Sequence, residues 1–414
     1  MAGPEQIEDI LAHSRPRLIG TLYRHLGDFS LAEDVWQEAA LKAFTQWPEG
    51  GLPEHPEAWL LTVARHRAID IFRREKRMVA FEEGDEWKLP TDDTDDEVLI
   101  YRDDILRLMF ICSHESLSAE QQVLLALNAI AGFSSQILAR AFMTSHAAME
   151  KRLSRLKNTA FQAEVQWDAP FLDSRRQSAV KAMLYLMFNE GYGGVESEPA
   201  LKNRICEQAI NLIRLLNTLC PDRPETQGLL ALCLFNHSRR DARWDGDGRL
   251  VSLDNQERKL WDQSMIAEAH ALVQHALTRS QPGYYLLQAC ISGIHAAAVS
   301  PELTDWKEIL LFYDLMELRY PSPVVSLNRS VALAHVAGAE RALPLVTGLE
   351  SRLKNYPYYY STLGHLYQMK GDLNGAKSAF LLARKVVLNK NEIEFLDMEI
   401  DRIENASKQK KRKL

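Results

Sequence analysis

The chain is 414 residues long, 46% apolar, 25% charged and only 8% aromatic, enough apolar material for at least two buried cores. Glycine (20) and proline (16) are sparse and β-branched runs are short, which excludes collagen-like, disordered and β-rich classes and predicts an all-α protein. The net charge of −7 argues against a nucleic-acid partner until its distribution along the chain is read.

The opening MAGPEQIEDILAHSRPR contains no apolar core segment, so no secretory signal is expected. From Ile7 to Leu26 apolar residues recur at helical spacing. A second amphipathic run follows from Leu31 to Trp47, and WPEGGLP ends it. Pro56 announces a third helix whose Trp59, Leu60, Val63, Ala64, Ile69 and Phe72 point to a core. Arg65, Asp70, Arg73 and Arg74 spread over its exposed faces, where arginine can neutralise phosphates and meet base edges. Thr62 to Met78 holds six basic residues against two acidic ones. Residues 5–80 therefore read as a small helical domain facing DNA. Trp59 has two readings: a stacking platform for an unpaired base, or a core residue beside Leu60, Leu61 and Val63.

Residues 81–103 form an acidic linker. From Glu82 to Asp104 eleven acidic residues face two basic ones, amid Gly84, Pro90 and PTDDTDD. In residues 104–160 the basic excess returns, with five basic residues against one acidic from Ser135 to Lys157. Ser118 and Gln121 form a capping box before the apolar run Val123 to Ile130, Gly132 closes that helix, and Ser134 or Ser135 caps the next. Ala139 is the small residue that a tight helix pair needs, and Ser145 starts a last helix. The spacing is that of a helix-turn-helix. Its last helix presents His146, Glu150, Lys151, Ser154 and Arg155 to a groove, with Ala148, Met149, Leu153 and Leu156 packed behind.

LAEDVWQEAALKAF (Leu31 to Phe44) followed by EAWLLTVARHRAIDIFRREKR (Glu57 to Arg77) resembles region 2 of sigma-70 family RNA polymerase sigma factors, in particular the extracytoplasmic-function (ECF) group. GFSSQILARAFMTS, in that tandem order, resembles region 4, with Ile137 where a glutamate is common. The resemblance implies core RNA polymerase and promoter DNA as partners, no cofactor, no metal and no catalytic residues: the chain lends promoter recognition to the polymerase and is not itself an enzyme. It implies that Glu33, Asp34, Gln37 and Glu38 dock the polymerase clamp and that Trp59, Arg65, His66, Arg67, Asp70, Arg73 and Arg74 approach the −10 element. Ser145, His146, Glu150, Lys151, Arg152, Ser154 and Arg155 would then read the −35 element. His66 stands where many members carry asparagine. For the acidic linker the resemblance implies passage through the polymerase active-site and RNA-exit channel, against the plain reading of a solvated tether.

Residues 175–405 are again helical, with runs at Val180 to Phe188, Leu201 to Leu219, Thr226 to Asn236, Gln256 to Leu277, Tyr284 to Ala298 and Trp306 to Leu318. The stretch Tyr285 to Val299 is broken by Gln288, Ser292 and His295 and is too short for a membrane span. Tyr360, Leu363, Gly364, Tyr367, Gly371, Ala376, Phe380 and Ala383 fit a tetratricopeptide pattern, with Leu388 at its usual proline. Ala342 lies one 34-residue period upstream of Ala376, so a TPR-like but irregular array is expected. NHSRRDARWDGDGRL (Asn236 to Leu250) fails as a calcium loop, because Arg249 takes a ligand place and no bidentate glutamate follows. A turn held by Arg and Asp pairs is expected instead. Phosphate loop, HExxH and nucleophile elbow are missing from the sequence. Cys112, Cys206, Cys220, Cys233 and Cys290 are odd in number and far apart, which predicts core thiols in a reducing cytoplasm.

LYLMFNEGYGG, SRRDARWDGDGRL, LWDQSMIAEA and SPVVSLNRSVALAHVAG resemble the carboxyl-terminal domain fused to a subgroup of ECF sigma factors, which implies control in cis and an unidentified protein or small-molecule signal. The connector NTAFQAEVQWDAPFLDSRR is rich in apolar residues (Phe161, Val165, Trp167, Phe171, Leu172), which are expected to pack between the halves. The tail, residues 406–414, is basic. A DNA-binding regulator with a sensory helical domain and a peptide-binding scaffold remain alternatives. AEDVWQEA favours the sigma reading over both.

Overall fold

The computed structural model describes residues 3–74, 95–142, 144–162, 174–194, 199–387 and 390–412. The acidic linker up to Thr94, the basic Lys76 and Arg77, the connector residues Val165, Trp167, Phe171 and Leu172, and Leu388 lie outside the described residues. So do the side chains of the basic tail. The fold is all-α among the described residues, and the chain divides into two compact units, Met1–Leu212 and Ile213–Leu414. No helix among them is long and apolar enough to cross a membrane.

Unit 1 opens with α1 (Pro4–Leu26), α2 (Phe29–Gly50) and α3 (Pro56–Arg74). Gly27 ends α1 in the left-handed region at φ 65°, and Asp28 then caps α2 by accepting from the N–H groups of Ser30 and Leu31. Ile7, Leu11, Leu18, Ile19 and Leu22 of α1 meet Ala32, Val35, Trp36, Ala39, Ala43 and Trp47 of α2 and Leu60, Leu61, Ala64 and Ala68 of α3 in one core. Each fully buried Leu or Ile there contributes about 1.5–3 kcal/mol. Helix α4 (Asp95–Cys112) crosses α1 at Gly20, where a Cβ would stand 3.1 Å from the Asp104 backbone, and Arg24 Nε pairs with the buried Asp104 at 3.1 Å.

Helices α5 (Ala119–Leu125), α6 (Ser135–Ala141) and α7 (His146–Gln162) make the three-helix module expected after residue 104. The Ser118/Gln121 capping box starts α5, which runs into a π-helical turn, Ala126–Ile130, before Gly132 reverses the chain at φ 77°. Ser134 caps α6 through the Ile137 N–H, and Ser145 caps α7 through the Ala148 N–H. Met149, Leu153 and Leu156 are buried as expected, but Ala148, in the first turn of α7, is exposed. Helices α8 (Ser174–Asn189) and α9 (Pro199–Leu219) follow, and α8 packs on α4 and α5.

In unit 2, α10 (Pro224–His237), α11 (Gln263–Leu277) and α12 (Tyr284–Ala297) surround an apolar core. Gly228 lets α10 approach α12 so closely that a Cβ would lie 2.6 Å from the Leu286 backbone. The run expected from Gln256 to Leu277 becomes helical only at Gln263, where Asp262 caps it. Two short 3₁₀ turns precede it, because Trp261 is buried by the loop and held under the guanidinium of Arg258 at 4.7 Å. The loop after α10 is a turn held by Asp245, whose Oδ1 accepts from the N–H groups of Asp247 and Arg249, and by Arg240–Asp262 and Arg249–Asp247 ion pairs. Helices α13 (Trp306–Arg319), α14 (Pro323–Ala337), α15 (Ala339–Thr347), α16 (Glu350–Leu353), α17 (Pro357–Lys370), α18 (Leu373–Val386) and α19 (Lys390–Arg412) complete the unit. Between α17 and α18, Gly364 sits where a Cβ would be 2.7 Å from the Phe380 ring, and Ala376 and Ala383 are buried beside it. All five cysteines are buried with free thiols. Burial raises those of Cys112 and Cys290, the latter to about 12, so neither is poised as a nucleophile.

Candidate nucleic-acid interface

The apolar stripe of α2 is consumed by the core, which turns Asp34, Gln37 and Leu41 outward and leaves Glu38 half-buried. Partial desolvation, then the carboxylates of Glu33, Asp28 and Glu38, hold the Asp34 carboxyl above the usual range, as expected of a crowded acidic face. Glu33 does not share that face. It is 8% exposed, its Oε1 accepts from Arg15 Nη2 at 2.9 Å, and its Oε2 is bonded by Lys157 Nζ. Arg15, buried, also donates to the Asn128 carbonyl at 3.3 Å, and burial lowers its pKa against the pull of Glu33.

On α3, His66, Asp70 and Arg73 are exposed, and Arg65 and Arg67 are half-buried. Arg74 ends the helix, its side chain outside the described residues. Arg67 Nε reaches Glu38 at 2.7 Å and so ties α3 to α2. Trp59 is half-buried, edge-on to Trp47 with centroids 5.4 Å apart, and has a packing partner of its own.

On α7, Ser145, His146, Glu150, Lys151, Ser154 and Arg155 are exposed along one side of the helix that Met149, Leu153 and Leu156 anchor. His146 Nε2 lies 2.9 Å from Ser135 Oγ and 3.4 Å from Glu150. Arg152 is half-buried and paired with Glu120 of α5 at 2.9 Å, a tie within the module. The exposed set can offer cations and hydroxyls to a nucleic-acid backbone and groove edge, and a group of three or more His, Cys, Asp or Glu able to hold a metal is absent among the described residues.

The structure brings the acidic helix and the basic helix together. Glu33, Asp34 and Gln37 of α2 and Glu150, Ser154 and Lys157 of α7 line one polar cleft of about 520 Å³, floored by Arg15 and Asn128. Arg15, Asn128 and Lys157 are residues of this arrangement that motif reading passes over. A signal for Arg15 exists: it falls within the apolar stripe of α1, four after Leu11 and three before Leu18, where a charge implies a buried partner.

Residues 10–78 match the sigma-70 region 2 family, and residues 176–277 match a family of unknown function, DUF6596. An uncharacterized protein of Rhizobium meliloti (strain 1021) is 41% identical over 405 residues, 96% of either chain. The ECF RNA polymerase sigma factor SigL of Mycobacterium tuberculosis is 33% identical over 132 residues, 31% of this chain and 72% of that protein. On these matches, and with the region 2 helices laid out as described, the chain belongs to the sigma-70 family of RNA polymerase sigma factors.

Proposed function

We propose that the chain is an ECF-type sigma factor in which α2 docks core polymerase, α3 approaches the −10 element, α7 reads the −35 element, and the helices beyond α9, a TPR-like array, control the first unit in cis. The observation that carries the reading is the combination of an outward polar edge of α2, the acidic Asp34 and the amide Gln37, with a solvent-facing Lys151 and Arg155 on a capped helix of a three-helix module. Glu33, paired inside the unit, supports this role less directly than Asp34 and Gln37 do. The test is run-off transcription with purified core polymerase on genomic promoter fragments. Specific transcripts are expected only with the chain present, and Asp34→Lys together with Glu38→Lys should abolish both transcription and co-purification with core enzyme. Tight, specific DNA binding without polymerase would instead make the protein an ordinary DNA-binding regulator.

A further inference from the structure

We propose that unit 2 binds a small organic cation, an aryl- or alkylammonium compound, in a cavity lined by α10, α11, α12 and α13. The inference deepens the reading of unit 2 as a control domain by naming a ligand class, and it is tested by binding, apart from transcription.

The cavity measures about 380 Å³, at the low end of the range for small-molecule sites. Its lining is mainly apolar, with Phe235 of α10, Val273 and Leu277 of α11, Ile294 of α12 and Phe312 of α13. Leu277 and Leu303 line it while 42% and 66% exposed, so apolar surface that an organic group can cover stands in water. Gly293 of α12 keeps the space open. Glycine is unfavourable inside a helix, and here a Cβ would stand 3.1 Å from the Phe235 ring and 3.4 Å from His270, pressing on two side chains of the lining.

The polar groups of the cavity select the charge of the ligand. Asp305 and Glu308, at the start of α13, line it, and no lysine or arginine does. Asp305 Oδ1 caps α13 by accepting from the N–H groups of Lys307 and Glu308, which fixes its carboxylate, whereas the Glu308 carboxylate has no ion-pair or hydrogen-bond partner among the described residues. His270 stands edge-on to Phe235 at 4.9 Å. Burial lowers its pKa, so at neutral pH the ring is uncharged, adds no competing cation and can accept a hydrogen bond. A ligand with an apolar body and an ammonium group meets both features: the body covers Leu277, Ile294 and Phe312, and the ammonium supplies the cation that Glu308 lacks. A carboxylate or phosphate ligand would meet two like charges instead.

The test is calorimetry on the full chain with three probes of similar shape: phenethylammonium, phenethyl alcohol and hydrocinnamate. The ammonium probe is expected to bind about tenfold more tightly than the alcohol, by a margin that shrinks as salt rises, and hydrocinnamate is expected not to bind. Glu308→Gln, at an exposed position, should leave the melting temperature of the unliganded chain unchanged and bring the ammonium affinity down to that of the alcohol. Ala297→Phe, which fills the cavity mouth from an exposed position in the last turn of α12, should abolish binding of both. The ranking of the probes on the parent chain holds even if a variant folds poorly. Equal affinity for the three probes, binding that survives Ala297→Phe, or no binding of the ammonium probe at about 5 mM would overturn the site. Binding as expected without any response of holoenzyme transcription to the ammonium probe would leave the site standing and remove only its part in control.

Discussion

Arg155 offers the sharpest test of promoter reading. Its side chain is exposed on α7, and the helix is anchored from its other side by Met149, Leu153 and Leu156, so truncation removes no core contact. Alanine has the highest helix propensity, and the neighbouring Thr159 hydroxyl bonds the Arg155 backbone carbonyl, which the substitution keeps. Arg155→Ala should therefore leave thermal stability unchanged, within about 0.5 kcal/mol. If the guanidinium meets a base edge, the loss is about 1–3 kcal/mol, on the order of 5- to 150-fold in holoenzyme affinity for its promoter, with relaxed preference at one position. If it meets a phosphate, binding weakens evenly on all sequences and the slope of log affinity against log salt falls by about 0.9. Fluorescence anisotropy of labelled promoter and scrambled fragments, each titrated at several salt concentrations, separates the cases. Arg152→Ala is the control, since Arg152 is engaged with Glu120 and its loss should register in stability. Unchanged affinity and unchanged salt slope for Arg155→Ala would refute the placement of α7 on DNA.

Three further outcomes follow from the geometry. Gly228→Ala would set a Cβ 2.6 Å from the Leu286 backbone, which yields only if α10 and α12 part, so the melting transition of unit 2 should lose about 1–3 kcal/mol. Burial, and then Arg239, Arg258 and His335, lower the His295 imidazole to about 4 from its ordinary 6.5. Because the unfolded chain takes up the proton first, the stability of the neutral ring is complete above about pH 6.5 and is lost as pH falls toward about 4, a change on the order of 3 kcal/mol. Denaturant titrations across that range should show the slope, and His295→Gln should flatten it. Ending the chain after Cys220, between α9 and α10, should change the transcription rate or its response to signal while unit 1 keeps its helicity; identical transcription by both forms would make unit 2 a passenger.

What the chain announces in its own sequence is local. Ser118 with Gln121, Ser134 and Ser145 cap the helices at which they stand, because a side-chain oxygen reaches an N–H only two or three residues away. The apolar stripe of α2 is visible at helical spacing, and it leaves Asp34 and Gln37 outside whatever partner is present. Gly364, without a Cβ, leaves room for the Phe380 ring beside it. Tertiary structure alone decided the rest. Glu33 is one residue from Asp34 and identical to Glu38 in chemistry, yet it turns inward because Arg15 and Lys157, 18 and 124 residues distant, converge on it. Trp59 finds Trp47, Ala148 stays exposed, and Trp261 draws the chain before α11 into a loop where helical periodicity continued in the sequence. Periodicity records which face of a helix is apolar, but which distant charge reaches a carboxylate is set by how helices cross, and a single sequence carries no measure of that crossing.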